Sequence, residues 1–413
     1  MKSYLSKINS LLIFFSFFSL FFLWSFKLVE INQFYNFKYL IIYPIFVSLF
    51  SIIVLKKYDY VIKYKLFFFF FLIHYFLVNL VNDTKIHLNE LTQIIFVIFL
   101  FISFVYYKNF IKKNFLYFLY FFQIILILSS LLIPSKINYG SCSYDMQFFL
   151  KEIGLQFSQG IFQERSHLAM VNVGVLISSI FYFTKYKNYK LLFFTSLTFL
   201  INIFNSSTTF VFGYFLCSII FIIIIQNNLF RLLLLISSLL LLLLFNNYNC
   251  SKKVTDININ KIINNDLGNR KNLTSSVYER SFILTKKTFL KKPWGWGYDG
   301  SQKAVSHLYN KNLTKAQHNS TTDNATFHMN KKDLLGNLFK ISTEFGVFIF
   351  GIFYIFIYYI LRNKYFNEYQ IFLISIFVVQ LFRGGGYINS GFILAIFEFF
   401  IFFQTFKKNK QIN

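Results

Sequence analysis

The sequence predicts an all-helical, polytopic integral membrane protein with about twelve transmembrane helices of roughly 20 residues each, interrupted by one large polar loop. Three observations predict it. The 413 residues have a mean hydropathy of +0.54, and only 14% are charged, where a soluble domain carries about 25%. Uninterrupted apolar runs such as Leu66–Val81 and Leu232–Phe245 recur along the chain, and their number and length fit a lipid environment. The connections between runs also alternate in basic content, as the positive-inside rule requires.

The N-terminal stretch Met1–Phe26 has Lys2 and Lys7 before an apolar run. It is long and has no small-residue cleavage site, so it reads as a retained span rather than a signal peptide. Further spans are expected at Lys38–Leu55, Lys65–Val81, Leu91–Tyr107, Phe115–Ile133, Ser166–Thr184, Leu191–Phe204, Ser207–Ile225 and Phe230–Phe245. After the polar segment come Phe339–Leu361, Gln370–Leu381 and Ile388–Phe406. The chain divides into a first helical block at 1–246, a large loop at 247–337 and a second block at 338–413. Lys56, Lys57, Lys63, Lys108, Lys112, Lys113, Lys185, Lys187, Lys190, Arg231, Arg362 and the tail Lys407, Lys408 and Lys410 fall on one side. This places both termini in the cytoplasm and the large loop outside it, because long loops cross largely regardless of charge.

The net charge of +25 does not indicate nucleic acid, because the basic residues are scattered between spans and form no patch. Arginine is rarer: Arg165, Arg231, Arg270, Arg280, Arg362 and Arg383 are the whole set. In a lysine-rich chain, a retained arginine points to the planar, bidentate geometry that lysine lacks. Of the cysteines, Cys217 lies in a span. Cys142 and Cys250 fall outside the cytoplasm, where a disulfide and two free thiols are both open. No C-x-x-C, H-E-x-x-H or D-x-D occurs, and the first outer connection offers only Glu30. No metal and no cofactor is expected.

Within the large loop, Ser276 with Glu279 three residues on reads as a capping box. It predicts a helix over Val277–Lys291. Tyr278, Phe282 and Phe289, with Ile283 and Leu290 beside them, form an apolar face, and Arg280, Lys287 and Lys291 form a basic one. The expectation is an amphipathic helix on the outer membrane surface with its basic face toward an anion. Pro293 stops the helix, and Gly295 and Gly297 permit a tight turn.

Other candidate groups sit at the outer ends of spans. Glu164, Arg165 and His167 lie where a loop meets a span, a position that suggests function but also suits an interfacial cluster. Arg383 precedes Gly384 and Gly385, where unhindered backbone N–H groups can form an anion nest. A flexible turn is the plainer reading. Glu344 can act as a base or hold an arginine, or simply complement a helix dipole. His318 and His328 in the loop can serve as general bases, but an ordinary loop histidine is the plainer reading of each. His74 and Glu398, inside spans, are expected to be structural and paired.

At these residues the chain resembles the O-antigen polymerase and ligase superfamily of membrane glycosyltransferases. Gly160-Ile-Phe-Gln-Glu164-Arg165-Ser166-His167-Leu-Ala169 is similar to the G-x-F-x-E-P-S-x-x-A element of polymerases, with Arg165 in place of proline. Ser206-Ser207-Thr208 resembles a Ser/Thr turn of that family. Arg280 followed by Pro293, Gly295 and Gly297 resembles its arginine, proline and G-x-G order. Thr343-Glu344-Phe-Gly346 resembles its E-x-G, and Arg383-Gly-Gly-Gly-Tyr387 a late arginine–glycine turn. The ligases' His-Asn is displaced here to His318-Asn319, which favours the polymerases.

The resemblance implies an enzyme of the bacterial inner membrane that polymerises undecaprenyl-diphosphate-linked oligosaccharide repeat units of an O-antigen, capsule or exopolysaccharide. The lipid-linked oligosaccharide would be both donor and acceptor, and a chain-length regulator protein is a candidate partner. Glu164, Arg280, Glu344 and Arg383 would be catalytic. Arg165, His167, Lys287, Gly295, Gly297, Gly384, Gly385 and His318 would bind substrate. A ligase moving the finished glycan to a lipid A core is the alternative within the family. A flippase or other transporter for the same lipid is the alternative outside it, and it would carry polar groups through the middle of several spans.

Overall fold

A computed structural model describes residues 2–22, 41–54, 64–84, 86–132, 165–205, 207–246, 273–309, 334, 336–363, 365–384, 387 and 391–410. The regular structure among them is entirely helical. The helices are α1 (Lys2–Phe22), α2 (Ile42–Val54), α3 (Lys65–Val81), α4 (Leu88–Lys113), α5 (Phe115–Leu132), α6 (Arg165–Tyr186), α7 (Tyr189–Asn205), α8 (Thr208–Ile224) and α9 (Asn228–Asn246). The large loop contributes α10 (Leu273–Lys291) and the short α11 (Ser301–Ala304), which runs on into a π-helical turn at Val305–Tyr309. The last block holds α12 (Asn337–Phe345), α13 (Ile349–Arg362), α14 (Glu368–Phe382) and α15 (Phe392–Lys410).

Four stretches are long and apolar enough to cross a membrane: Leu88–Lys113, Phe115–Leu132, Ser166–Tyr186 and Asn337–Arg362. Eight shorter apolar helices accompany them. The outward faces carry residues such as Leu80, Ile223, Leu243 and Leu361, each at least 70% exposed. Such surfaces are unfavourable in water and natural in lipid, where every backbone polar group is satisfied inside its own helix.

The core is built on α14, which is buried without interruption from Tyr369 to Leu381. α6 lies along it, with α8, α12 and α15 on its other sides. Close approach of α6 requires a residue without a side chain at Gly174, where a Cβ would come within 2.9 Å of the Phe372 ring and 3.2 Å of its carbonyl oxygen. Polar side chains join helices as well. The Gln123 amide of α5 donates to Ser179 of α6 at 2.8 Å and to Thr195 of α7 at 3.3 Å. Glu398 meets Lys108 at 4.0 Å. Cys217 is a buried free thiol, while Cys142 and Cys250 lie outside the described residues.

One expectation is corrected and another refined. The helix of the large loop begins at Leu273, so Ser276 lies within it and cannot be its N-cap. Nothing in Leu273-Thr-Ser-Ser276 breaks a helix, and capping residues are also tolerated inside one when tertiary packing supports it. The expected span Phe339–Leu361 stands within Asn337–Arg362, but its helix is not regular throughout: α12 ends at Phe345, Gly346–Phe348 form a 3₁₀ turn, and α13 follows.

Replacing Gly174 by leucine is expected to destabilise the protein by about 1–3 kcal/mol through overpacking. The measurement is thermal unfolding of the detergent-purified protein. An unchanged transition would contradict the tight α6–α14 contact.

Candidate functional site

The site begins at the break in the α12–α13 span. When a helix stops, the carbonyls of its last turn lose their partners, and in lipid no water replaces them. Here the loop supplies the donors. The Trp296 N–H donates to the Thr343 carbonyl at 3.0 Å, and the Gly297 N–H to the Glu344 carbonyl at 2.9 Å. In return, the Val347 N–H donates to the Pro293 carbonyl at 2.8 Å. The Pro293–Gly297 turn therefore lies backbone to backbone on Thr343–Val347. Both partners need glycine. Gly295 has φ +83° and Gly346 φ +54°, and a Cβ on either would overlap a carbonyl of the other segment, that of Glu344 or of Pro293. On its far side the turn is held by α3 and the residue just after it. The His74 ring nitrogen Nε2 lies 3.1 Å from the Trp294 carbonyl, and the Asn82 amide donates to the Gly295 carbonyl at 3.0 Å.

This pairing encloses the Glu344 carboxylate, which has no exposed surface. Ser301 of α11 donates its hydroxyl to Oε1 at 2.7 Å, and Tyr387, beyond α14, donates to Oε2 at 2.5 Å. Lys340, one turn back on α12, lies 3.8 Å from Glu344 and 3.5 Å from Asp299, and its ammonium sits 5.1 Å from the Tyr387 ring centroid. Tyr298 stacks beside Tyr387 at 5.6 Å. Burial first, and then the neighbouring carboxylates, push both tyrosine hydroxyls far above their ordinary range, so both are neutral donors at any physiological pH. Three separate stretches of chain, residues 298–301, α12 and Tyr387, thus meet at one carboxylate.

A second polar cluster adjoins the first, and no sequence pattern announced it. Lys303, two residues after Ser301, forms an ion pair with Glu90 of α4 at 2.9 Å and reaches Asn79 at 3.4 Å. The Tyr75 hydroxyl donates to Glu90 at 2.8 Å, and Thr84 donates to Asn79 at 2.7 Å. The only local signal was a glutamate in the first turn of a span, which a helix dipole alone explains.

The arginines depart from expectation. Arg280 does not lie on an exposed basic face: it is the largest of the fully buried side chains described. The buried residues of α10 are Val277, Arg280, Ser281, Ile283, Leu284 and Thr288, mostly at helical spacing, and α10 packs on α12. Phe282 and Leu290, from the face expected to lie on the membrane surface, are 46% and 75% exposed, and Lys291 is exposed too. Lys287 is half-buried, and burial followed by the charge of Lys291 lowers its pKa. Arg383 caps the C-terminus of α14 and is half-buried. The Tyr278 hydroxyl donates to the Phe382 carbonyl at 2.8 Å. Burial raises that hydroxyl's pKa, while the charge of Arg383 and a hydrogen bond with it pull the other way. Tyr278 thereby joins the Arg383 turn to the helix that carries Arg280.

Of the other candidates, His167 is buried near the start of α6, and Gly297 faces Val78 and Asn79. Gly384 packs against Asn337. Glu164, Gly385, His318, His328 and the side chain of Arg165 lie outside the described residues. No protein-family model, curated protein or solved structure matches the chain, so the site is read from its own geometry.

Truncating Glu344 to alanine leaves Lys340 buried with Asp299, 3.5 Å away, as its one carboxylate partner of the two and frees two hydroxyls. This is expected to cost about 3 kcal/mol or more, whereas Glu344→Gln keeps the acceptor for Ser301 and costs less. Thermal unfolding of both variants checks the order, and equal stability of the two would refute the enclosed-carboxylate geometry.

Proposed function

We propose that this protein is a membrane glycosyltransferase that polymerises undecaprenyl-diphosphate-linked repeat units by metal-independent, inverting transfer. One observation carries the reading: the Pro293–Gly297 turn, the Thr343–Gly346 break and the Tyr387 end of the Arg383 turn meet around Glu344. These are the motifs in which the sequence resembles that superfamily, and their meeting is not a consequence of their spacing along the chain. In this reading the protein has about twelve spans, both termini in the cytoplasm, and α10 and α11 on the periplasmic side of the inner membrane.

The reaction breaks the bond between the donor's anomeric carbon and its diphosphate oxygen. It forms a bond from that carbon to an acceptor hydroxyl oxygen, whose proton passes to a base. The leaving group is a lipid diphosphate, and fixed positive charge aimed at it lowers the barrier most. Arg280 and Arg383, on elements that Tyr278 joins, are assigned that task. Glu344 is enclosed and already engaged by Ser301, Tyr387 and Lys340, so it holds these groups in place. The base is then Glu164 of the polymerase-like element. The break at Gly346 is filled by backbone donors from the loop instead of opening toward a solute, which favours an enzyme over a transporter.

Arg280→Lys and Arg383→Lys keep the charge but lose the planar fork. Each is expected to remain in the membrane and to slow chain growth by about 10²–10³-fold, leaving glycans of a single repeat in a gel of the host's polysaccharide. Wild-type ladders in both variants would sink the arginine assignment. Long chains accumulating on the lipid carrier would point instead to a ligase.

A further inference from the structure

We propose that the N-terminus of α12, with the Asn337 side chain and Arg383, forms a binding site for a phosphate or diphosphate group. The inference rests on the reading above, because it names the groups that would receive the leaving diphosphate.

α12 is nine residues long, and its N-cap is Gly336, in extended conformation and with no capping side chain. The N–H groups of a first helical turn have no acceptor within their own helix, and the helix dipole makes that end positive. Helix ends of this kind bind phosphates. A second, independent observation concerns Asn337, the first residue of the helix. It has no exposed surface, and neither its amide oxygen nor its amide nitrogen makes a hydrogen bond. Burying an amide without partners costs about 1–3 kcal/mol, so the fold tolerates this group for a purpose that its own side chains do not serve.

The amide is directed at the turn that follows α14. A Cβ on Gly384 would come within 2.7 Å of the Asn337 Cγ and Nδ2, so glycine is what allows the approach. The same turn presents Arg383, and beside it stands Tyr278, whose ring also meets Phe339 of α12 at 6.2 Å. Carbonyl oxygens lie at this end too: that of Phe382 accepts from Tyr278 at 2.8 Å, and those of Leu381 and Phe382 stand within 2.8 Å of where a Cβ on Gly336 would be, so the positive groups must outweigh them. Arg383 is half-buried and Phe382 is 50% exposed, which places the turn at the molecular surface. A guanidinium at the surface, and a helix N-terminus and an amide donor buried directly beneath its turn, suit a tetrahedral dianion. They offer nothing specific to a neutral sugar.

The test uses the full-length protein in phosphatidylcholine nanodiscs, with binding read by calorimetry. The probes are inorganic pyrophosphate and farnesyl diphosphate, a short lipid diphosphate. Wild-type protein is expected to bind at least one of them, and Asn337→Asp, nearly isosteric but negative, to weaken that binding at least tenfold. Should Asn337→Asp fail to fold, Gly384→Ala, which pushes a methyl onto the amide, is expected to act in the same direction. Tighter binding of farnesyl diphosphate assigns the site to a lipid headgroup; equal affinities assign it to phosphate as such. No binding of either probe by wild type, or equal binding by wild type and a folded variant, overturns the proposal. Binding that depends on Asn337, in a host whose glycans are unchanged when the protein is deleted, would refute the polymerase reading and leave the anion site standing.

Discussion

The site depends on one backbone pairing, that of the Pro293–Gly297 turn with residues 343–347. A helix that breaks within an apolar span leaves carbonyls that neither lipid nor its own next turn can satisfy. Two N–H groups from a distant loop satisfy them, and one carbonyl of the loop is satisfied in exchange. The pairing fixes register at the level of single residues. Ser301 reaches Glu344 because the chain leaves Gly297 at a defined point, and Lys340 reaches Asp299 for the same reason.

Charge is the second constraint. Desolvating an ion is costly, and only close opposite charge and good hydrogen bonds recover the loss. Lys340, between Asp299 and Glu344, meets that condition, with two neutral hydroxyls completing the carboxylate's shell. An apolar cluster of the same volume would hold the loop as well or better. That ionisable groups are kept here, in a chain otherwise dominated by phenylalanine, leucine and isoleucine, fits selection for chemistry more than for stability.

Much of the helical framework was legible because apolar runs of this length have few alternatives. Pro293 was legible as a stop because it cannot donate a hydrogen bond. Glu344 was legible as a carboxylate at a span end. The face of α10 was not. Apolar periodicity identifies a buried side when the other side meets water, but Phe282 and Leu290 lie outward beside Trp294, also 52% exposed. Where both sides of a helix are apolar, the pattern cannot tell protein from surroundings, and Arg280 was placed on the wrong one. The break at Gly346 was hidden because hydrophobicity runs across it unchanged. The Glu90–Lys303 pair joins residues 213 positions apart, and nothing local at either end names its partner.

The small apolar contact of Leu284, Val305 and Leu334, with Leu308 and Phe339 around it, has a topological effect. It brings the chain at Val305 back together with the chain at Leu334, so the intervening stretch departs from and returns to nearly the same point. A closed excursion of that kind is decoupled in length from what lies beneath it, since the entropy of closing a longer loop grows only logarithmically. Residues could be added or removed there without shifting Glu344 or its partners.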